Sequence, residues 1–394
     1  MTKPSIGVAV IGAGMAGRAH ASGYRSAPGV FGAGLPDLRL VAIADAYEPF
    51  AADTARRYGY ERAETSWEAV AEAPDVDAVS VVVANDLHRE IVEALLEAGK
   101  HVLCEKPLAP TVADGQAMAD RAEKSDRVAA VGFTFRRSPA INAIREQITG
   151  GTLGRPVHFN GHYWCDYGCD PGAPMSWRYK GGPGSGALAD IGAHLVDLGE
   201  FLCGPVSSVR GTVLSTVIPD RPVPLGAAVG HAAGVAVSDV RAPVGNEDIA
   251  TFTATFASGA TGTFSVSRIA YGLPNALGFE VFCAGGAATF DLARMSEFTI
   301  ADRTPAGPVN GYRQVLAGPA HPYLTGGLPM DFPGVGYGQN DLFTFQARAF
   351  LDEIAGLDRL PRCPGLAEGL HNLRVLDAVA ASAGRDGQAV AVPR

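Results

Sequence analysis

"VAVIGAGMAG", residues 8–17, decides how this chain is read. Ile6–Ile11 is a β-branched run that reads as a strand. It ends in Gly12, Gly14 and Gly17, spaced G-x-G-x-x-G, and a helix opens from about Gly14. Gly12 permits a tight turn. Gly14 lets the backbone approach a pyrophosphate, which then lies at the positive end of the helix. Gly17 allows helix and strand to pack closely, and Met15 and Ala16 belong to the same turn. A glycine-rich strand–helix turn without a ligand is the alternative, but the context of strand before and helix after is the one a dinucleotide site requires.

Working outward, the next strand, Leu38–Ala44, ends in Asp45. A carboxylate there accepts hydrogen bonds from ribose hydroxyls and repels a 2′-phosphate. Ala46 and Tyr47 supply no cation, so the expected cofactor is NAD rather than NADP. Asp45 as a helix cap is the other reading. The stretch "SAPGVFGAGLPD" at 26–37 reads as an insertion that lengthens the spacing. Val76–Val83 is apolar at nearly every position, as a strand covered on both faces is. Further strands at His101–Cys104 and Val128–Phe133 alternate with helices, among them "LHREIVEALLEAGK" and one capped by Thr111 and Asp114. This alternation predicts a parallel sheet with helices on both faces, over residues 1–132.

The pattern then changes. Residues 133–394 carry helices at Pro139–Thr149 and about Ala187–Cys203, a strand at Pro156–Trp164, and hairpin-like runs "EDIATFTATF", "TGTFSVSRIA", "GFEVFCA" and "AATFDLA". They predict an α+β domain with a large, open, mostly antiparallel sheet. Residues 305–340 read as a long Gly/Pro-rich ordered loop. Two closing helices, about 341–356 and 366–384, are candidates to pack back on the first domain.

Composition narrows the function. With 394 residues, 47% apolar, 19% charged and a net charge of −9, the chain suits a packed two-domain protein and not a partner of nucleic acid or anionic membranes. No run approaches a membrane span, the N-terminus reads as strand rather than signal, and the six scattered cysteines do not suggest secretion. A cytoplasmic location is expected.

"HVLCEKPLA", residues 101–109, places Glu105 and Lys106 at a strand end, and "VVVAND" places Ala84 and Asn85, then His88, at another. Open α/β sheets bind ligands at that carboxyl edge. "GALADIGAHLVDL" sets Asp190 and His194 four apart on a helix, hence on one face. An acid and an imidazole there suit proton transfer near neutral pH, or form a surface pair that stabilises its helix.

"GAGMAG", "HREIVEALLEAGKHVLCEKPLA", "FTFRRSPAI" and "GSGALADIGAHLVDL" together resemble the Gfo/Idh/MocA oxidoreductases over essentially the whole chain. The resemblance implies a Rossmann domain followed by an open-sheet domain, with Lys106, Asp190 and His194 at the catalytic positions. By it, Lys106 and His194 contact the reacting hydroxyl, with His194 as general base or Lys106 taking the proton in its place, and Asp190 positions the sugar. Where that family often has a proline, this chain has Ala84. "DPGAPMSWRYK", "STVIPDRP", "GPAHPY" and "GVGYGQNDLF" resemble more narrowly the levoglucosan dehydrogenase branch, which oxidises the C3 hydroxyl of an anhydro-sugar with NAD. Arg136, Tyr163, Asp166, Trp177, Arg178 and His321 are the further expected substrate contacts, hydrogen-bonding groups with an aromatic platform. An inositol dehydrogenase, an NAD-retaining glycosidase that works by transient oxidation, and a silent NAD-binding regulator are the alternatives. "HFNGHYWCDYGC" gathers His158, His162, Cys165 and Cys169, but the spacing is that of a strand and loop, and no metal is expected. The open sheet is expected to make homodimers or homotetramers.

Overall fold

The computed structural model describes residues 5–32, 34–226, 235–302, 310–332 and 334–393. Residues 305–309 and 333 of the expected Gly/Pro-rich loop lie outside these. The chain forms two compact units, residues 1–139 with 317–370, and residues 140–316 with 371–394.

In the first unit, strands and helices alternate as β1 (Ser5–Ile11), α1 (Met15–Ser26), β2 (Asp37–Ala44), α2 (Glu48–Tyr58), β3 (Arg62–Glu64), α3 (Trp67–Glu72), β4 (Ala78–Val81), α4 (His88–Glu97), β5 (His101–Cys104), α5 (Val112–Glu123) and β6 (Ala129–Val131). The sheet order is β3-β2-β1-β4-β5-β6, all parallel. Strand order reverses between β1 and β4, so the ends of those strands form the switch point where such sheets bind ligands. The central strands are buried on both faces: Val8, Ala9, Val10, Val79 and Val81 are fully enclosed. Helix ends follow from local chemistry. The Thr111 side chain accepts from the Asp114 N–H to start α5, and Gly99, at φ 75°, follows the last turn of α4.

The second unit holds α6 (Pro139–Thr149, entering at the boundary), β7 (Pro156–Trp164), a wide π-helical turn (Leu188–Gly192) running into α7 (Ala193–Cys203), then β8 (Val206–Ser215), β9 (Asp220–Pro224), β10 (Val237–Pro243), β11 (Ile249–Phe256), β12 (Thr261–Ser267), β13 (Ala276–Cys283), β14 (Gly286–Asp291), β15 (Glu297–Asp302) and β16 (Arg313–Leu316). Nine strands order as β16-β15-β14-β13-β7-β12-β11-β8, with the short β17 (Val390–Ala391) outermost beside β8. Among the described residues of this sheet, only the β7–β12 pair is parallel. β9 and β10 form a separate ribbon.

Strict alternation in β11 sends Ala250, Phe252, Ala254 and Phe256 inward and leaves isoleucine and threonines on the other face. The inward face stacks phenylalanines, with Phe252 and Phe264 ring centroids 4.7 Å apart. Helix α7 lies on this face at glycine. A Cβ on Gly161 would come within 2.9 Å of the Leu195 side chain, and one on Gly199 within 3.0 Å of Phe264. The other face is polar: Asn160 donates to Glu280 and accepts from Thr263, and the Trp164 indole donates to Ser265.

Residues 317–370 return to the first unit, with α8 (Gln339–Ile354) packed on α1. A Cβ on Gly23 of α1 would meet the Phe343 carbonyl oxygen at 2.7 Å, so glycine sets the approach. Arg348, fully buried, pairs with Asp352 and donates to the carbonyls of Ala27 and Val30. The last helix, α9 (Leu366–Ala383), crosses the boundary between the units. No helix among the described residues is long and apolar enough to cross a membrane.

Candidate active site

In the first unit the glycine turn is built as its spacing demands. Gly12 has φ 99°, and a Cβ there would lie 2.1 Å from the Val82 carbonyl oxygen. A Cβ on Gly17 would lie 1.8 Å from the Gly12 carbonyl oxygen. Gly14 differs. It caps α1 without a side chain of its own to bond the helix N–H groups, and nothing lies within 4 Å of where its Cβ would be. Met15 beside it is exposed, Ala16 half-buried. The turn therefore combines open room with the first N–H groups of a helix, which have no partner within the helix, and this fits a pyrophosphate. Asp45 sits at the end of β2 with one carboxylate oxygen accepting the Ala13 N–H at 2.7 Å and the other the Tyr47 N–H at 2.8 Å. It braces the glycine turn. A carboxylate has about four lone-pair directions, so capacity for ribose hydroxyls remains.

Ala84 and Asn85 follow β4 in a short 3₁₀ turn, with Ala84 exposed. Lys106 follows β5, half-buried, and its peptide to Pro107 is cis. Two residues expected at the cofactor face inward instead. His88 is buried, with ring nitrogens 3.1 Å from the Leu108 carbonyl and 3.2 Å from that of Val83. Burial holds its pKa below the usual imidazole range despite those two acceptors. It fastens the two loops from behind. Glu105 is also buried, its carboxylate accepting from His20 Nε2 at 2.9 Å and from the Lys106 N–H at 3.1 Å.

In the second unit, Asp190 lies in the wide turn and His194 in the first turn of α7, both half-buried. The Tyr167 hydroxyl donates to Asp190 Oδ2 at 2.9 Å, and Arg178 Nε is 3.8 Å from the same oxygen. Burial, followed by the adjacent Asp190 charge, pushes the Tyr167 phenol well above its ordinary pKa, so it stays a donor. The Tyr163 ring centroid is 6.2 Å from that of His194, and its hydroxyl donates to Asn275 at 2.8 Å. Arg178 stacks on the half-exposed Trp177, 4.4 Å from its centroid. Asp166 is half-buried in the same loop. Tyr163, Tyr167, Arg178, Asp190 and His194 are thus brought together: an acid fixed by a phenol and a guanidinium, beside an imidazole lined by a tyrosine ring.

The family model of oxidoreductases with an NAD-binding Rossmann fold matches residues 6–133, and that of the GFO/IDH/MocA C-terminal domain matches residues 141–289. Levoglucosan dehydrogenase of Pseudarthrobacter phenanthrenivorans is 36% identical over 385 residues, 97% of either chain. This chain belongs to the Gfo/Idh/MocA oxidoreductase family. Myo-inositol 2-dehydrogenase of Thermotoga maritima is 29% identical over 75% of this chain and 78% of that one. A solved levoglucosan dehydrogenase in complex with NADH and levoglucosan has a TM-score of 0.89 at 35% identity, covering 99% of this chain and all of the other. This oxidoreductase accordingly has an NAD-binding Rossmann domain.

In this family member, residues that the sequence did not single out shape the acid's surroundings. The Glu247 carboxylate accepts the Leu188 N–H at 2.8 Å, at the start of the wide turn. Gly186 makes room: at φ 90°, its Cβ would strike Glu247 at 2.2 Å. Asn372 donates to the Ala193 carbonyl at 3.0 Å, where the wide turn becomes α-helix. The loop before Asp190 is held by buried arginines. Arg268 pairs with Asp248 at 2.8 Å, both essentially unexposed, and donates to the Arg178 carbonyl at 3.0 Å. Arg221 donates to the carbonyls of Gly168 and Asp170, both at 2.6 Å. Both guanidiniums lie against the Tyr179 ring, 3.8 Å for Arg221 and 4.6 Å for Arg268.

The remaining expected contacts belong to the first unit. Arg136 pairs with Glu368 at 2.7 Å and lies over Phe133. His321 is buried, stacks on Tyr323, and accepts that residue's N–H at Nδ1. Burial pushes its pKa down to about 4, so it is neutral at physiological pH. Among the described residues no group of three or more His, Cys, Asp or Glu side chains is placed to hold a metal. His158 stacks on Phe282 and His162 on Trp164, the latter at 4.0 Å between centroids.

Proposed function

We propose that the protein oxidises a secondary hydroxyl of a sugar, of a levoglucosan-like anhydro-sugar at C3, or of a cyclitol, to the ketone. The observation that carries this reading is the kinship with levoglucosan dehydrogenase along 97% of both chains, together with the acid, phenol and imidazole set in the second unit. Gly12, Gly14, Met15, Ala16, Gly17, Asp45, Ala84 and Asn85 would hold NAD. When bound, NAD supplies the acceptor for the hydride that leaves the carbinol carbon. His194 takes the hydroxyl proton as general base. Lys106 donates to the hydroxyl oxygen and stabilises the charge that develops there as the proton departs. Asp190, fixed by Tyr167, accepts hydrogen bonds from the sugar. Trp177 offers an apolar platform, and Arg178, Asp166 and Tyr163 bind further hydroxyls. The protein works in the cytoplasm and assembles through the polar face of its open sheet into dimers or tetramers, which sedimentation of the purified protein checks.

The test is a screen of levoglucosan, inositols, glucosides and free hexoses with NAD and NADP, followed by NADH absorbance. The expected result is NAD reduction by at least one of them, lost in Lys106→Ala and His194→Ala while both variants still bind NADH. Turnover in those variants at the wild-type rate would overturn the assignment. A reducing sugar released with no net NADH would mean a glycosidase instead.

A further inference from the structure

We propose that a buried chain of four side chains, Tyr24, Ser80, His20 and Glu105, aims Lys106, with Glu105 as the positioning residue at its end. The inference rests on the reading of Lys106 given above and extends it to residues buried behind the strand end.

The chain is continuous. The Tyr24 hydroxyl is 2.8 Å from Ser80 Oγ, Ser80 Oγ is 3.0 Å from His20 Nδ1, and His20 Nε2 is 2.9 Å from Glu105 Oε1. Glu105 Oε2 then accepts the Lys106 N–H at 3.1 Å. None of the four side chains reaches solvent appreciably. Their roles follow from the end of the chain. A carboxylate only accepts, so His20 carries its proton on Nε2. On a neutral imidazole Nδ1 then accepts from Ser80, and Ser80 accepts from Tyr24. Burial keeps the Tyr24 phenol protonated, as that order needs. Each polar atom is thereby satisfied where an unsatisfied one is costly.

Position gives the chain its use. His20 and Tyr24 lie on α1, the helix that starts at the glycine turn. Ser80 lies on β4, and Glu105 directly follows β5. The chain therefore ties the helix behind the pyrophosphate turn to the strand end that carries the lysine. Phe343 of α8 closes over His20, edge to face at 5.3 Å.

Gly132 gives a second, independent sign that the carboxylate's place matters. A Cβ there would lie 2.4 Å from Glu105 Oε1 and 2.9 Å from its Cδ, with no backbone atom as near. The φ of Gly132 is not in the left-handed region. An alanine there meets the Glu105 carboxylate and not the backbone, so it is the carboxylate that must shift. Gly132→Ala pushes the carboxylate aside and leaves all four side chains chemically intact.

The experiment compares wild type, Gly132→Ala, Glu105→Gln and Ser80→Ala. Steady-state kinetics are measured with whichever sugar the wild type oxidises, NADH affinity by fluorescence titration, and the Lys106 amine's labelling rate in reductive methylation by peptide mass spectrometry. Displacing a reacting group by about 1 Å can cost about 100-fold. The expected result is a kcat lowered ~10- to 100-fold in Gly132→Ala and Glu105→Gln, with NADH affinity kept within about threefold and an altered Lys106 labelling rate. Ser80→Ala, the smallest change in shape, moves the same way and serves where another variant does not fold. Wild-type kcat and labelling in the folded variants would overturn the proposal. So would kcat and NADH affinity falling in proportion, which would mean a loss of general integrity. If the wild type oxidises no sugar while labelling still responds, the functional reading fails and the chain stands.

Discussion

Tyr167→Phe isolates the hydrogen bond that holds the acid. The substitution removes one hydroxyl and keeps the ring. The lost bond, 2.9 Å to Asp190 Oδ2, is donated to a charged acceptor from a phenol whose pKa burial has raised. Hydrogen bonds to charged groups contribute ~1.5–3 kcal/mol. If Asp190 must be held to position the sugar in the transition state, kcat/KM for the sugar falls ~10- to 150-fold, since about 1.4 kcal/mol is tenfold. KM for NAD, measured alongside, is expected to stay unchanged. Steady-state kinetics by NADH absorbance, with thermal melting as the folding control, measure this. A second comparison sharpens it. If Tyr167 acts through Asp190, Tyr167→Phe adds little to Asp190→Asn, and the double variant is strongly non-additive. A loss in kcat/KM under about twofold, or full additivity, would refute the role given to Tyr167.

Two further outcomes follow from buried charges in the second unit. Arg268→Met leaves Asp248 without its counter-ion, held by the Val217 and Ile218 N–H groups, in a site where both partners are essentially unexposed. It should cost ~3–5 kcal/mol and lower Tm by about 6–20 °C, and Arg268→Met with Asp248→Leu should recover part of that loss. Calorimetry checks both. His371 lies 2.9 Å from Glu200, whose carboxylate raises its pKa above the ordinary 6.5. Stability from a raised imidazole is fully present below the unfolded value and is lost as pH rises through the folded one. His371→Gln should therefore lower Tm most below about pH 6.5 and progressively less at alkaline pH; a Tm difference independent of pH would exclude the pairing.

How much of this was legible from residue order depends on distance along the chain. The glycine turn, α6 and β7 were readable because their signals are local: glycine spacing, period 3.6 and period 2. The three-residue edge strand β3, "RAE", is too short to show any period. The wide turn at "LADIG" was expected as ordinary α-helix, since nothing in its composition distinguishes the two. The partners of the site were invisible for a different reason. Tyr167 meets Asp190 across 23 positions, Leu188 meets Glu247 across 59, and Tyr163 meets Asn275 across 112. No single-sequence pattern pairs them. His88 shows the same limit: residue order does not reveal that its ring lies between the carbonyls of Val83 and Leu108. The return of residues 317–370 to the first unit rests on contacts such as Arg137 with Tyr323 at 2.7 Å and Ser138 with Tyr337 at 3.1 Å.

The same distances explain why the acid sits on irregular backbone. A wide turn is rare, and where one occurs it is often at a functional site. Here each end has its own support from far along the chain: Glu247 takes the Leu188 N–H at the start and Asn372 gives to the Ala193 carbonyl at the finish. Glu247 accomplishes this while burial raises its carboxyl pKa above the usual range, an energetic cost that an exposed cap would avoid. Retaining a costly buried cap, a glycine at φ 90° to admit it, and a buried arginine pair under the adjoining loop amounts to one design. Asp190 lies on a turn too irregular to be stable alone, and rigidity is supplied from beneath by buried polar groups. Change in the exposed loop can then alter which sugar is held, while Arg221, Glu247 and Arg268 keep Asp190 where it is.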